Sequence, residues 1–285
     1  MPHHHHHHDH HGDDHPDLAE LLDLDAEVLH EYLSEVTGWV HGWAADRPVR
    51  RILDLGTGTG VGALALVQRF DGADVIALDV DAQMLDRVGE KARALGVADR
   101  IRTVQADLDV AWPAIDPVDL VWASNSLHHV ADPDRVLADV LAVLRPGGLL
   151  ALVEMSAFPR FLPDGLGSGL EARGHAIQAE AMADEMPHLG ADWGPRLSKA
   201  GFTVEAVRPF VIDLTPPLPA ATGRYAQASL RRLRSGLGEK IDPDDLATLD
   251  ALIDSDGPDS VLRRDDLTVR AARTGWIARR PMPRP

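Results

Sequence analysis

The stretch ILDLGTGTG, residues 52–60, limits the fold more than any other part of the chain. Apolar residues surround a single acid, Asp54, and three glycines spaced two apart follow. The segment VGALALVQRF (61–70) then carries apolar residues at helical spacing. A strand that runs into a helix through bare backbone opens a β-α-β unit, and sheets built from such units bind ligands beyond the carboxyl ends of their strands. Glycine there permits positive φ and lets a ligand touch the main chain. The helix start adds free N–H groups that suit an anion. Gly56, Gly58 and Gly60 are therefore expected to line a cofactor.

The turn also narrows which cofactor. Nicotinamide enzymes use G-x-G-x-x-G, whereas this turn is G-x-G-x-G with an acid just before it. A carboxylate at Asp54 repels phosphates and favours a ligand with cationic groups. No Gly-Lys-Ser/Thr follows, which excludes a P-loop. Asp79 ends the next apolar segment, 23 residues after Gly56, where a carboxylate can accept hydrogen bonds from ribose hydroxyls. That geometry serves NAD and other adenosines equally. Asp107, in QADL, could accept from an adenine amino group at the same crevice.

The pattern continues. Strands are expected at 51–55, 74–79, 101–106, 118–124 and 149–154, with helices at 61–70, 81–95 and 132–144 between them. Asp81 is a cap candidate, and RPGG (145–148) ends the third helix. Near-continuous apolar strands separated by helices indicate a parallel sheet covered on both faces. Upstream, Val28, Leu29, Tyr32, Leu33, Val36, Trp39, Val40 and Trp43 recur at helical spacing over 25–43. This aromatic stripe reads either as core or as a lid whose Tyr32, Trp39 and Trp43 wall a substrate pocket. Beyond 155 the pattern loosens. A helix end is expected at 196–202, strands at 203–214 and 267–280, and helices at 223–237 and 243–254. The expected organisation is one α/β domain over 18–285. It has a helical lid (18–48), a cofactor-binding core (49–155) and a remainder (156–285) holding a helical insertion at about 215–265.

Composition bounds the rest. With 285 residues the chain has ample length for one core. It has no cysteine, which removes thiolate metal sites and cysteine nucleophiles; no metal is expected in the site. No apolar run is long enough to cross a membrane, and no basic-then-apolar leader is readable, so a cytoplasmic location is expected. A net charge of −17 argues against a nucleic-acid partner. From Arg263 to Arg284 seven arginines face two aspartates. They read as a solvated face or local ion pairs, with a contact between two copies or an anionic substrate as alternatives. Residues 1–17 form a histidine-rich, low-complexity tail, either a purification tag (His3 to His8) or native, expected to be disordered and able to pick up transition metals.

DLGTGTG, ALDVD, QADL, DLVWASNSLHHV and LRPGG, in that order over roughly residues 50 to 155, resemble a class I S-adenosylmethionine-dependent methyltransferase. The likeness is greatest to the small-molecule branch that contains ubiquinone-biosynthesis-type enzymes. It implies a Rossmann-like, seven-stranded sheet with the last strand antiparallel. It implies that Asp54 and the turn Gly56, Thr57, Gly58 and Gly60 hold the methionine part of S-adenosylmethionine, and that Asp79 binds the ribose. Val80 and Met84 would pack near the adenine, Asp107 and Leu108 would meet its edge, and Asn125 would lie near the methionine end. The implied product is S-adenosylhomocysteine.

In such an enzyme the activated methyl group belongs to the cofactor, and the protein orients a nucleophile. His128 and His129 follow the fourth strand at the crevice mouth and suit a general base or a substrate contact. The alternative is that they order the loop before Pro133. Glu154 ends the fifth strand and reads as a structural hydrogen-bonding group or a catalytic one. Tyr225 and Arg224 open a helix that could cap the site. The expectation is methyl transfer to oxygen, nitrogen or carbon of a small molecule. An NAD(P)-dependent oxidoreductase and a protein that binds S-adenosylmethionine without transferring methyl are the alternatives.

Overall fold

A computed structural model describes residues 15–184, 186–237 and 240–283. Residues 1–14, and with them most of the histidine-rich tail, lie outside the described residues; the first helix already begins at His15. Seven strands are joined in one sheet: β1 (Arg51–Leu55), β2 (Asp74–Asp79), β3 (Ile101–Gln105), β4 (Val118–Ser124), β5 (Leu144–Arg160), β6 (Thr203–Leu214) and β7 (Val269–Arg279). Their order is β3-β2-β1-β4-β5-β7-β6, with β7 antiparallel to both neighbours. The expected seven-stranded α/β fold with its last strand antiparallel is therefore observed.

The order explains where a ligand can sit. From β1 the chain moves outward to β2 and β3, then returns to place β4 on the other side of β1. Two consequences follow. Helices α3 (Val61–Arg69) and α4 (Ala82–Ala94) cover one face, while α5 (Pro133–Val143) and α7 (Gly194–Lys199) cover the other. The loops after β1 and β4 diverge and leave a crevice at this switch point. Alternation along the strands feeds both cores: Ile52, Leu120 and Trp122 enter one, and Leu53, Leu55 and Val121 enter the other.

Local signals set most boundaries. Asp81 caps α4 by accepting from the Gln83 N–H at 2.8 Å, and Asp132 caps α5 through Arg135 N–H at 3.0 Å. Strand β5 is far longer than the expected 149–154, because β7 pairs with it antiparallel from Leu149↔Arg279 out to Arg160↔Arg270. The loosened region beyond 155 contains an unexpected helix, α6 (Leu170–Met182), which Gly167 and Gly169 precede.

The N-terminal stripe forms two helices, α1 (His15–Val28) and α2 (His30–Trp43), rather than one over 25–43. Leu29 leaves helical geometry (φ −101°, ψ 28°), yet Leu29 N–H still donates to Asp25 and Leu33 N–H to Leu29, so the break is a kink. No proline or glycine marks it. Leu29 is buried in the core, so packing imposes the bend. Gly38 and Gly42 each cost α2 about 1 kcal/mol. Burial of Tyr32, Val36 and Val40 contributes about 1.5–3 kcal/mol apiece and outweighs that cost. Helices α8 (Thr222–Leu237) and α9 (Pro243–Ile253) lie between β6 and β7 in the chain, and α8 packs on α1.

Candidate active site

A cavity of about 870 Å³ opens at the carboxyl ends of β1, β2 and β4. Asp54, Gly56, Thr57, Gly58, Asp79, Val80, Met84, Asp107, Leu108 and Asn125 all line it. Ten of the eleven residues proposed for the cofactor thus share one wall. Gly60 does not line it.

The glycine turn is held from both sides. Gly56 has φ +65°, and a Cβ there would stand 2.5 Å from the Ser126 Cβ. Gly60 has φ +83°, and a Cβ would meet Val88 of α4 at 2.8 Å. Gly60 therefore has a role in helix packing, and it is the one residue of the proposed cofactor set that does not line the cavity. Ser126 returns the contact by donating its hydroxyl to the Leu55 carbonyl at 2.8 Å. The turn's own N–H groups reach β2: Thr57 N–H donates to Leu78 O at 2.9 Å, and Gly58 N–H to Asp79 Oδ2 at 2.8 Å. The other Asp79 oxygen accepts from Asp81 N–H at 3.0 Å. Two main-chain donors hold this carboxylate at the cavity wall.

Asp54 is 2% exposed, and its Oδ2 accepts from the Thr57 hydroxyl at 2.7 Å. Burial pushes its carboxyl up to about 7, against the pull of that hydrogen bond and of the Ala63 N–H; Asp79 adds to the rise. Gly62 packs closely against it: a Cβ there would stand 3.1 Å from Asp54 Oδ2 and 2.8 Å from Trp122 Nε1. Asn125 is the one non-glycine residue with positive φ (+51°) among the described residues, and its buried Oδ1 has no hydrogen-bond partner there. Left-handed backbone costs about 1–2 kcal/mol outside glycine, least for Asn, and such strain gathers at functional sites.

The two histidines part company. His128 is buried, and its Nδ1 lies 2.5 Å from Glu154 Oε2, while Glu154 Oε1 accepts Leu127 N–H at 3.0 Å. His128 does not line the cavity, so the structure corrects its reading as a candidate base. His129 does line it, with its ring 4.1 Å from that of His128. One side of His129 stays open to solvent, but the protein around it pushes its imidazole down to about 4, helped by His128 and Arg232. It is neutral at pH 7, with a lone pair free to accept a proton.

Of the aromatic candidates, only Tyr32 lines the cavity. Trp39 packs edge-on against Phe210 at 5.5 Å, and Trp43 lies at the surface. Tyr225 is core, donating its hydroxyl to Asp25 Oδ1 at 2.6 Å. These three are corrected: α2 presents a single face to the cavity, and residues seven and eleven positions after Tyr32 lie beyond its rim. Arg224 is exposed and paired with Glu20.

Sequence reasoning missed Asp25, Arg232 and Arg273, all on the cavity wall. Arg273 is nearly buried, donates to Asp25 Oδ1 at 2.6 Å and lies over the Tyr32 ring at 4.7 Å. It was one arginine among seven, and nothing local distinguishes it from Arg264, Arg270 and Arg279, which pair with Asp266, Asp164 and Glu205.

The donor set decides the ligand class. Asp54, Asp79, Asp81 and Asp107, an amide oxygen and bare glycine backbone lie around the turn, and among the described residues the Lys or Arg on the wall are Arg232 of α8 and Arg273 of β7. That suits a cationic nucleoside and opposes a pyrophosphate. Residues 52–148 match a family model described as a methyltransferase domain. That region, residues 52–148, is an S-adenosylmethionine-dependent methyltransferase domain. A tRNA 5-carboxymethoxyuridine methyltransferase of Escherichia coli is 43% identical to it over 108 residues, 38% of this chain and 41% of that protein. A 27-O-demethylrifamycin SV methyltransferase of Amycolatopsis mediterranei is 31% identical over 150 residues, 52% of this chain and 54% of that protein. The chain thus spans about half the length, or less, of these curated relatives. The YcgJ protein of Bacillus subtilis shares the fold, with a TM-score of 0.54 at 16% identity over 87% of this chain and 99% of that one. The methyltransferase domain's cofactor is S-adenosylmethionine, and the residues at the turn fit it. Among the described residues Asn125 Oδ1 is an unpartnered acceptor, and the backbone of Gly62 lies bare beside a buried acid.

Proposed function

We propose that this protein moves the methyl group of S-adenosylmethionine to a small-molecule acceptor. The observation that carries the reading is a single cavity whose wall runs from the Asp79–Gly58 latch to His129. The cofactor supplies an electrophilic methyl when bound. Asp79 would receive the ribose hydroxyls, Met84 and Val80 would pack by the adenine, and Asp107 and Leu108 would meet its edge. Asp54, Thr57 and Asn125 would face the methionine end. His129, neutral at pH 7, would take the proton that an oxygen or nitrogen acceptor loses. His128 and Glu154 would fix the turn that presents it.

A small acceptor fits the rifamycin-modifying relative, and the wall holds Tyr32 and Met186 beside the polar groups. The likeness to a tRNA methyltransferase favours an RNA acceptor, but it covers only the cofactor half, and a net charge of −17 repels a polyanion. Work in the cytoplasm and pairing of two copies belong to the same proposal. No described helix is long and apolar enough to cross a membrane.

The test is incubation with S-adenosylmethionine carrying a tritiated methyl group and a small-molecule extract, beside an Asp79→Ala control. Labelled product that depends on Asp79 supports the reading. Tight cofactor binding with no labelled product in any extract favours a binding protein that does not transfer methyl.

A further inference from the structure

Resting on the methyltransferase reading, we infer that the acceptor is an anion and that Arg232 selects it. Each acid on the cofactor side already has donors from the protein: Asp79 from Gly58 and Asp81 N–H, Asp54 from Thr57, Asp81 from Gln83 N–H, Asp107 from Asp109 N–H, and Asp109 from Ala131 N–H. Asp25 receives Arg273 and the Tyr225 hydroxyl, both at 2.6 Å, so the Arg273 charge is neutralised inside the protein.

Arg232 is different. It lines from α8 the same cavity as His129, is exposed, and makes no ion pair or hydrogen bond among the described residues. Its neighbours on the helix are engaged: Arg231 reaches Ser255, and Arg234 forms a fork with Asp250. The side of the cavity that holds the candidate base therefore carries one uncompensated positive charge. The acids of the cofactor wall are tied to their own donors. On the same wall Tyr32 is 8% exposed, with the Arg273 guanidinium over its ring at 4.7 Å.

A free guanidinium at a pocket wall is matched by a carboxylate or a phosphate, which it can bind with two parallel hydrogen bonds. An acceptor with such a group would be turned so that its reacting atom meets His129. Lysine in place of Arg232 would keep the charge but lose the planar fork.

Calorimetry on the protein saturated with S-adenosylhomocysteine tests this, with benzoate, phenyl phosphate and benzamide as probes. The expected result is binding of benzoate or phenyl phosphate at least tenfold tighter than benzamide. Whichever anion binds more tightly tells carboxylate from phosphate. Arg232→Gln should remove that preference, Arg232→Lys should keep part of it, and affinity for S-adenosylhomocysteine should stay unchanged in both. Equal binding of all three probes, binding of none at millimolar concentration, or a preference that survives Arg232→Gln overturns the inference. If S-adenosylhomocysteine itself fails to bind, it is the methyltransferase reading that falls, and the two failures are separate.

Discussion

Glu154 holds His128 and the Leu127 main chain with its two oxygens, at 2.5 and 3.0 Å, at the carboxyl end of β5. This buried link joins β5 to the turn after β4 and settles which of two adjacent histidines meets the cavity. One is a strut and the other is free. Removing His128 would leave a buried carboxylate short of a partner. His128→Ala is therefore expected to destabilise the fold by about 3–5 kcal/mol, the cost typical of breaking a buried pair from one side. His129→Gln should leave stability within about 0.5 kcal/mol and lower methyl transfer by roughly 10²–10⁴. Urea unfolding and labelled-methyl turnover on both variants check the contrast; equal effects on stability would contradict it.

The latch between Asp79 and Gly58 predicts a different outcome. Asp79→Ala removes the proposed ribose acceptor and also frees two main-chain donors, Gly58 N–H of the turn and Asp81 N–H at the start of α4. Loss of S-adenosylhomocysteine binding by at least about thirtyfold is expected, from the roughly 2–5 kcal/mol that truncating a hydrogen-bonded charge costs. The protein should remain folded by circular dichroism. Calorimetry showing wild-type affinity would remove Asp79 from the cofactor site.

Two glycines with nearly the same backbone angle separate packing from strain. Gly72 has φ +72° with nothing within 4 Å of a Cβ, and Gly56 has φ +65° with Ser126 Cβ at 2.5 Å. Gly72→Ala should cost about 1–2 kcal/mol, the left-handed penalty alone. Gly56→Ala should cost distinctly more and weaken cofactor binding as well. Equal melting temperatures for the two variants would mean that the β1–β4 approach is looser than described.

Asp54 and Glu171 give the protein a pH signature. Burial pushes both carboxyls up to about 7. In the unfolded chain they titrate near pH 4. Between roughly pH 4 and 7 the folded protein therefore holds protons that the unfolded chain has lost, and stability falls as pH rises through that window. A cationic ligand beside Asp54 pulls its pKa back down. Cofactor binding at pH 6 should therefore release a proton, read as a dependence of binding enthalpy on buffer ionisation enthalpy. Asp54→Asn should abolish the release. Glu171→Gln should reduce the pH slope of stability and leave the release intact, since Glu171 binds Phe161 and Leu162 N–H away from the cavity.

How far the sequence could be read follows from which signals are local. β1, β2, β4 and β6 match their expected bounds, because alternation, glycine turns and capping acids lie within a few residues of the elements they set. The residues of the cavity wall were legible for the same reason: most lie at or just after a strand end. The kink at Leu29, the length of β5 and the helix at 170–182 depend on partners more than a hundred residues away or on packing, and no local pattern carries them. Arg273 and Asp25 are separated by 248 positions, and only the fold makes them a pair. Of the two readings of the aromatic stripe, core holds for most of its residues and Tyr32 also reaches the cavity; helical spacing names a face without naming what the face meets.

Differential thermal unfolding with S-adenosylhomocysteine and with NADH, each at about one hundred times its dissociation constant or at millimolar excess, goes straight to the central claim. S-adenosylhomocysteine should stabilise the protein by about 2.7 kcal/mol, and NADH should leave the melting temperature where it was. A rise with NADH and none with S-adenosylhomocysteine would contradict the account.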